Sequence, residues 1–293
     1  MAHKKSKKWL WPTVFIGPHL ILFIVFFLVP VVFGLYISLT KWDLFNTPKF
    51  VGLQNYQTIL FNNNSVWHEQ FINGLRNTLI FVVTSVPFLV LVPLLLAVLL
   101  NLKPHMSKVF QSIFYLPNLF AISAVMIIWN FLMSQSYGPI KSVFHSNVDI
   151  LNSQPWAWIA IVGVTTWWVI GGNMIIYQAA LNGVSKEILE AADLDGANAW
   201  TKFTKIILPS IRFQLLFTTV TTTIAQFNVY GQPLMLTGGG PNNSTRVLLM
   251  YIQNNTFGQG TSAAGVSSAM AILLGLVIMA VSLVQFRLLR QDN

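Results

Sequence analysis

Long apolar runs separated by shorter polar stretches dominate this chain. Six of them, at 13–38, 77–101, 109–133, 156–181, 211–233 and 264–286, are long and apolar enough to cross a bilayer as helices, since a hydrocarbon core needs about 20 such residues. The pattern predicts an all-α membrane protein, with residues 1–12 as an N-terminal segment and 13–293 as a six-helix domain. An even number of spans puts both termini on one side. The stretches between them differ in character: 39–75 is polar and aromatic, 102–108 is a tight basic turn, and 134–155 is short and polar. The loop 182–210 holds four of the eight acidic residues, and 234–263 is rich in Gly, Asn and Thr. Pro30, Pro87, Pro93 and Pro117 fall inside spans, where each removes a backbone donor and favours a kink.

Composition agrees with a membrane location. Of 293 residues 54% are hydrophobic and 9% charged, against about 25% charged in an average soluble domain. There are no cysteines, which excludes disulfides and Cys-based metal sites. The net charge of +9 belongs to residues flanking apolar segments, so it reads as membrane topology and predicts no nucleic-acid partner. Met1 to Lys8 resembles the basic start of a signal peptide, but the apolar run continues to about Leu39 with no small-residue cleavage site, which predicts a retained first helix. With the N-terminus inside, twelve Lys and Arg are cytoplasmic: Lys4, Lys5, Lys7, Lys8, Lys103, Lys108, Lys186, Lys202, Lys205, Arg212, Arg287 and Arg290. Five, Lys41, Lys49, Arg76, Lys141 and Arg246, are outside. The expected topology is therefore both termini in the cytoplasm.

The most informative segment is the inner loop Asn182–Pro209. Ser185 suits an N-cap, Glu187 the first turn of a helix, and Gly196 its stop. A second helix is expected from about Asn198 to Leu208, ending at Pro209. Ile188, Leu189, Ala191, Ala192 and Leu194 would give the first helix an apolar face in a water-facing loop. Two uses fit that face: a helix lying on the membrane surface, or a contact for another protein, which the small Ala191-Ala192 pair would let approach closely.

Glu190-Ala191-Ala192, three residues, Gly196, nine residues, Ile206, one residue and Leu208-Pro209 resemble the EAA loop of the permease subunits of bacterial ABC importers. Further segments resemble the maltose, glycerol-phosphate and oligosaccharide branch of that family: Phe50-Val51-Gly52-Leu53-Gln54-Asn55-Tyr56, Asn77-Thr78-Leu79, and Leu236 to Pro241 followed by Asn242-Asn243-Ser244-Thr245. The resemblance implies a permease with the type I importer fold in a bacterial cytoplasmic membrane, surrounded by lipid. It would pair with a second, similar permease, two cytoplasmic ATPase subunits and an extracytoplasmic sugar-binding protein. It also implies that Glu190, Ala191, Ala192, Gly196, Leu208 and Pro209 couple this chain to the ATPase. The chain has no G-x-x-x-x-G-K-[ST] phosphate loop. On the resemblance, ATP and Mg are bound by the partner ATPases, and this chain needs no cofactor.

Polar and aromatic side chains at membrane depth mark the expected substrate path, because unpaired polar groups are costly in hydrocarbon. The fourth span carries Trp167, Trp168, Asn173, Tyr177 and Gln178; the fifth carries Thr218 to Thr223, Gln226, Asn228, Tyr230 and Gln232. Amides with indole and phenol rings suit a sugar's hydroxyls and C–H faces. By similarity to the maltose permease, Trp167-Trp168 and Gln226 to Asn228 align with sugar-contacting positions. Helix-packing contacts and an interfacial aromatic belt are the structural alternatives. The five histidines, His3, His19, His68, His105 and His145, show no i, i+3 or i, i+4 pairing, and the spans carry no paired carboxylates, so neither a metal site nor catalysis is expected. A secondary transporter or channel acting alone is the rival reading.

Overall fold

The computed structural model describes residues 7–140, 148–258 and 263–290, with side chains over the same segments except 7–13 and 289–290. Lys4, Lys5, Lys141, His3 and His145 lie outside the described residues. The chain divides into two compact units, Met1–Phe71 with Tyr251–Gly275, and Ile72–Met250 with Leu276–Asn293.

In the first unit, α1 (Lys7–Phe23), a π-helical segment (Ile24–Leu28) and α2 (Val29–Ser38) make one continuous run. The wider π turn comes just before Pro30, where it moves aside the carbonyl that the proline ring would otherwise strike. Strands β1 (Thr40–Lys41) and β2 (Lys49–Phe50) form an antiparallel ladder, followed by α3 (Gln54–Phe61). Asn55 fastens these elements together, its Nδ2 donating to the carbonyls of Ser38 and Thr40, both at 2.8 Å. Helix α4 (Val66–Asn101) starts well before the expected residue 77. Ser65 explains the difference: its Oγ accepts from the Trp67 N–H at 3.2 Å, and Glu69 occupies the first turn, which satisfies and neutralises a helix N-terminus.

The second unit contains the rest of α4, then α5 (Ser107–Tyr115), a 3₁₀ turn (Leu116–Leu119), α6 (Ile122–Met133), α7 (Trp156–Asn182), the loop helices α8 (Lys186–Leu194), α9 (Ala199–Lys202) and α10 (Leu208–Ser210), then α11 (Arg212–Phe227) and α12 (Gly231–Thr237). Helices α13 (Leu248–Phe257) and α14 (Ala264–Arg290) complete the chain. Among the described residues, Val14–Ser38, Val66–Asn101, Trp156–Asn182 and Ala264–Leu288 are long and apolar enough to cross a membrane. The expected straight span 109–133 is instead a pair, Ser107–Leu119 and Ile122–Met133, bent by 98°. The expected span 211–233 is broken at Asn228–Tyr230. Its 16-residue α11 reaches only about 24 Å, short of a hydrocarbon core of about 30 Å.

Breaks in helices at this depth leave carbonyls without donors, and neighbouring side chains supply them. Pro93 inside α4 has no N–H for the carbonyl of Leu89, four residues earlier. Asn173 of α7 donates its Nδ2 to that carbonyl at 2.9 Å. Trp168 donates Nε1 to the Phe120 carbonyl, at the 98° bend, at 3.1 Å. Asn130 donates to Met235 and Leu236 in the last turn of α12, at 3.2 and 2.9 Å. Asn77 donates to the carbonyls of Asn243 and Arg246, and Thr78 Oγ1 accepts from Leu248 N–H, the first donor of α13.

Helices α5 and α7 cross at a point with no room for a side chain. A Cβ on Gly171 would sit 2.6 Å from the Tyr115 Cα, whereas Gly163 on the same helix has nothing within 4 Å. Gly171→Ala should cost about 1–3 kcal/mol through overpacking, and Gly163→Ala should cost nothing measurable. Thermal unfolding of the solubilised protein checks both; equal melting temperatures for the two variants would contradict the close crossing.

Candidate functional site

Helix α8 is a nine-residue element with defined ends. Ser185 is its N-cap, the Oγ accepting from the Ile188 N–H at 3.4 Å. At the other end Gly196 adopts φ +71°, the left-handed region that costs a Cβ-bearing residue about 1–2 kcal/mol. This conformation lets Gly196 N–H reach the Asp193 carbonyl at 3.1 Å and Ala197 N–H reach the Ala192 carbonyl at 2.9 Å. Those paired bonds are a Schellman stop. The chain then turns into α9, whose N-cap Asn198 accepts from Thr201 N–H at 2.8 Å. An ion pair between Lys202 and Asp193 ties the two loop helices together.

The loop helix expected to stop at Pro209 continues past it. A π segment, Phe203–Ile207, precedes Leu208-Pro209 and carries the helix on to Ser210, and Ser210 Oγ donates to the Ile206 carbonyl at 2.6 Å. The first span shows the same arrangement, with a π segment ending two residues before Pro30.

Glu190 and Ala191 are exposed, Leu194 is 91% exposed, and Ala192 alone in α8 is buried. The flanks of the loop behave oppositely. Val184 before it and Phe203, Ile207 and Leu208 after it pack on a core of Leu94, Ala97 and Leu100 of α4, Met174, Tyr177 and Leu181 of α7, and Ile211. Pro209 remains exposed. The outer face of α8 is thus free while its roots are set in the bundle.

The seven residues expected along the substrate path separate into two sets. Trp168 and Asn173 donate to backbone carbonyls as described, and Asn173 also donates to Thr222 Oγ1 at 3.0 Å. Tyr177 is fully buried, its hydroxyl 2.6 Å from Thr218 Oγ1. Their polar atoms join helices. Trp167 is 44% exposed, its ring 5.5 Å from Trp129, beside an apolar cleft of about 110 Å³ that also touches Phe120 and Ile128. Gln226 is buried, and its Oε1 has no hydrogen-bond partner among the described residues. Asn228 is exposed at the break in α11, its Nδ2 donating to the Ile224 carbonyl at 2.8 Å. Tyr230, half-buried, packs on the core formed by Phe81, Met126, Ile161 and their neighbours.

Two features were missed by sequence reasoning. Asn130 holds the last turn of α12 but is a lone amide in an apolar run, and no local pattern marks it. A cavity of about 310 Å³ lined by Asn101, Lys103, Gln111, Gln178 and Asn182 lies where α7 leads into the loop. The i, i+4 amides Gln178 and Asn182 were the available signal for it.

Comparison with known proteins agrees with this architecture. Residues 59–292 match the family model described as "Binding-protein-dependent transport system inner membrane component". The chain is 30% identical to the "Probable starch degradation products transport system permease protein AmyD" of Thermoanaerobacterium thermosulfurigenes, over 97% of this chain and 96% of that protein. It is also 30% identical to the lactose transport system permease protein LacF of Rhizobium radiobacter, over 95% and 93%. Among solved structures, a chain of the bacterial alginate ABC transporter in complex with alginate pentasaccharide-bound periplasmic protein has the same fold, with a TM-score of 0.82 and 23% identity over 98% of this chain and 96% of that one. The chain belongs to the family of binding-protein-dependent transport system inner membrane components, the multi-pass permeases of ABC transporters. That family consists of transport components rather than enzymes.

Replacing Gly196 tests the loop geometry. Gly196→Ala should destabilise the end of α8 by about 1 kcal/mol, read as roughly fivefold faster hydrogen exchange at the Gly196 and Ala197 amides. Unchanged exchange would mean that the left-handed stop is not required.

Proposed function

We infer that this chain is one half of the membrane pathway of an ATP-driven importer for a di- or oligosaccharide. In this reading both termini face the cytoplasm of a bacterial cell, residues 13–293 form the six-span permease domain, and 182–210 form its coupling loop. A second, similar permease completes the pathway, and an extracytoplasmic binding protein delivers the sugar. Two cytoplasmic ATPase subunits bind ATP and Mg, and this chain performs no covalent chemistry.

The observation that carries the reading is the contrast within the loop. Helix α8 presents Glu190, Ala191 and Leu194 outward, while Phe203, Ile207 and Leu208 are packed among α4, α7 and α11. A partner that grips the face and moves will displace the roots, and with them three helices. Glu190 would meet polar groups of the ATPase, Ala191 and Ala192 would allow close approach, Gly196 would fix the turn, and Leu208 with Pro209 would pass the motion into α11. The switch is a two-state equilibrium biased by ATP and by the binding protein.

The carbohydrate assignment is supported by the named cargo of the relatives and by the chemistry of the path. Trp167 offers a partly exposed aromatic face, and Gln226 a buried acceptor awaiting a hydroxyl. Asn228 and Tyr230 stand where α11 unwinds, and irregular backbone at membrane depth is tolerated where it is buried or borders a wet cavity. Trp168, Asn173 and Tyr177 would shape the path by holding its helices.

The reading is tested by co-purifying the ATPase with wild type, Glu190→Lys and Gly196→Pro, and by measuring sugar uptake. Both variants should lose the ATPase or its sugar-stimulated hydrolysis. Full coupling in both, or uptake by this chain without any ATPase, would contradict it. In the path, Gln226→Leu and Trp167→Ala should each raise the sugar concentration for half-maximal uptake about tenfold, the loss expected for one hydrogen bond or ring contact to a bound ligand. Unchanged sugar dependence in both would remove them from the site.

A further inference from the structure

The first unit ends its long apolar helix in a small charged hairpin. Val14–Ser38 has 25 residues, or about 37 Å of helix, against a hydrocarbon core of about 30 Å and about 40–45 Å with the headgroups included. The residues just after Ser38 therefore fall within the headgroup layer. There the ladder sets Lys41 directly opposite Lys49, a like-charge pair that destabilises a sheet unless a counter-ion joins it. Neither ammonium has an ion pair or hydrogen bond among the described residues.

The acid beside them is already engaged. Asp43 Oδ1 accepts from the N–H groups of Asn46 and Phe45 at 2.8 and 3.1 Å, and Oδ2 accepts from Asn46 Nδ2 at 2.6 Å. These bonds, led by the Asn46 backbone N–H, hold its carboxyl below the usual carboxylate range. It stays ionised but is oriented along the hairpin, with acceptor capacity left on Oδ2.

Lys41, Lys49, Asp43 and Trp42 line a cleft of about 690 Å³ together with Trp67 and Gly265. Its walls are fixed. Trp42 donates Nε1 to the Asn46 carbonyl at 2.6 Å and lies edge-on to Phe33 of the apolar helix, with ring centroids 6.2 Å apart. One edge of this indole therefore meets the hydrocarbon side and the other the polar side, the usual setting of interfacial tryptophan. Asn55 pins the hairpin, and a Cβ on Gly265 would overlap the Thr40 carbonyl oxygen, so the start of α14 lies directly against the strand. Phe45 and Phe50 of the same hairpin are exposed.

We propose that this cleft binds the headgroup of an anionic glycerophospholipid, with the phosphodiester between Lys41 and Lys49 and a headgroup hydroxyl on Asp43. Two ammonium groups and one carboxylate sum to a single positive charge, which one phosphatidylglycerol balances. The inference needs only that Val14–Ser38 lies in a membrane. It does not depend on the cargo or on which side the hairpin faces.

The full chain, purified with its transporter partners from bilayers of equal phosphatidylglycerol and phosphatidylcholine, is examined for retained lipid by native mass spectrometry. Wild type should keep phosphatidylglycerol in preference. Lys41→Gln with Lys49→Gln should reduce that preference at least about tenfold, since each basic residue at a membrane surface contributes about a factor of five. Lys41→Arg with Lys49→Arg should restore it. Both lysines are exposed, and thermal unfolding confirms that the glutamine variant is folded. No preference in wild type, or an undiminished preference in the folded glutamine variant, overturns the proposal. So does saturable binding of soluble glycerol phosphate at this pair without lipid preference, which would assign the site to a free phosphoester. Loss of binding-protein-stimulated ATP hydrolysis in the glutamine variant with lipid retention intact would assign the hairpin to protein docking and also overturn it.

Discussion

Hydrocarbon offers no hydrogen bonds, and this fold is arranged around that constraint. Pro93 strips the Leu89 carbonyl of its donor, and Asn173, from another helix, replaces it. The same relation recurs where the chain departs from a straight helix: Trp168 serves the bend at Phe120, Asn130 the end of α12, and Asn77 with Thr78 the turn leading into α13. Each bond is worth only about 1 kcal/mol net, but leaving a carbonyl bare in lipid costs several. At these positions a kink and a fastener come as a pair. The helix arrangement is specified by which side chain answers which missing donor, because apolar surface alone does not distinguish one helix contact from another within lipid.

The loop between α7 and α11 obeys the opposite condition. In water its backbone is satisfied locally, by Ser185, Asn198 and the bonds around Gly196. It can keep its shape with little packing, which leaves one face free. The π segment before Pro209 carries the helix past the ring to Ser210, and α11 starts after a single turn residue, Ile211. This surface holds its own fold and is rooted among three helices of the bundle.

What could be read in the sequence follows the same division. The ends of α8 were legible because Ser185 and Gly196 act within a few residues of themselves. The long runs in α4, α7 and α14 were legible because length and apolarity suffice. The 98° bend after Leu119 and the break at Asn228 were not: the carbonyl at the bend is met by Trp168, which is distant in sequence, and no local pattern marks the break. Pro209 marks the end of the loop helix to within one residue, because the π segment on its N-terminal side lets the helix pass the ring as far as Ser210. Trp168, Asn173 and Tyr177 stand out in the sequence as polar groups within apolar runs. Only their partners reveal that the polar atoms are occupied by the protein itself, whereas the Gln226 acceptor has no partner among the described residues.

These fasteners are neutral. From Asn77 to Asn101, through the whole of α7, from Phe213 to Phe227 and from Ala264 to Phe286 the chain has no charged side chain. One elementary charge carried across a membrane at 100 mV exchanges about 2.3 kcal/mol with the electric field. Sliding or tilting these segments carries none. A membrane potential therefore finds no side-chain charge to act on within these segments.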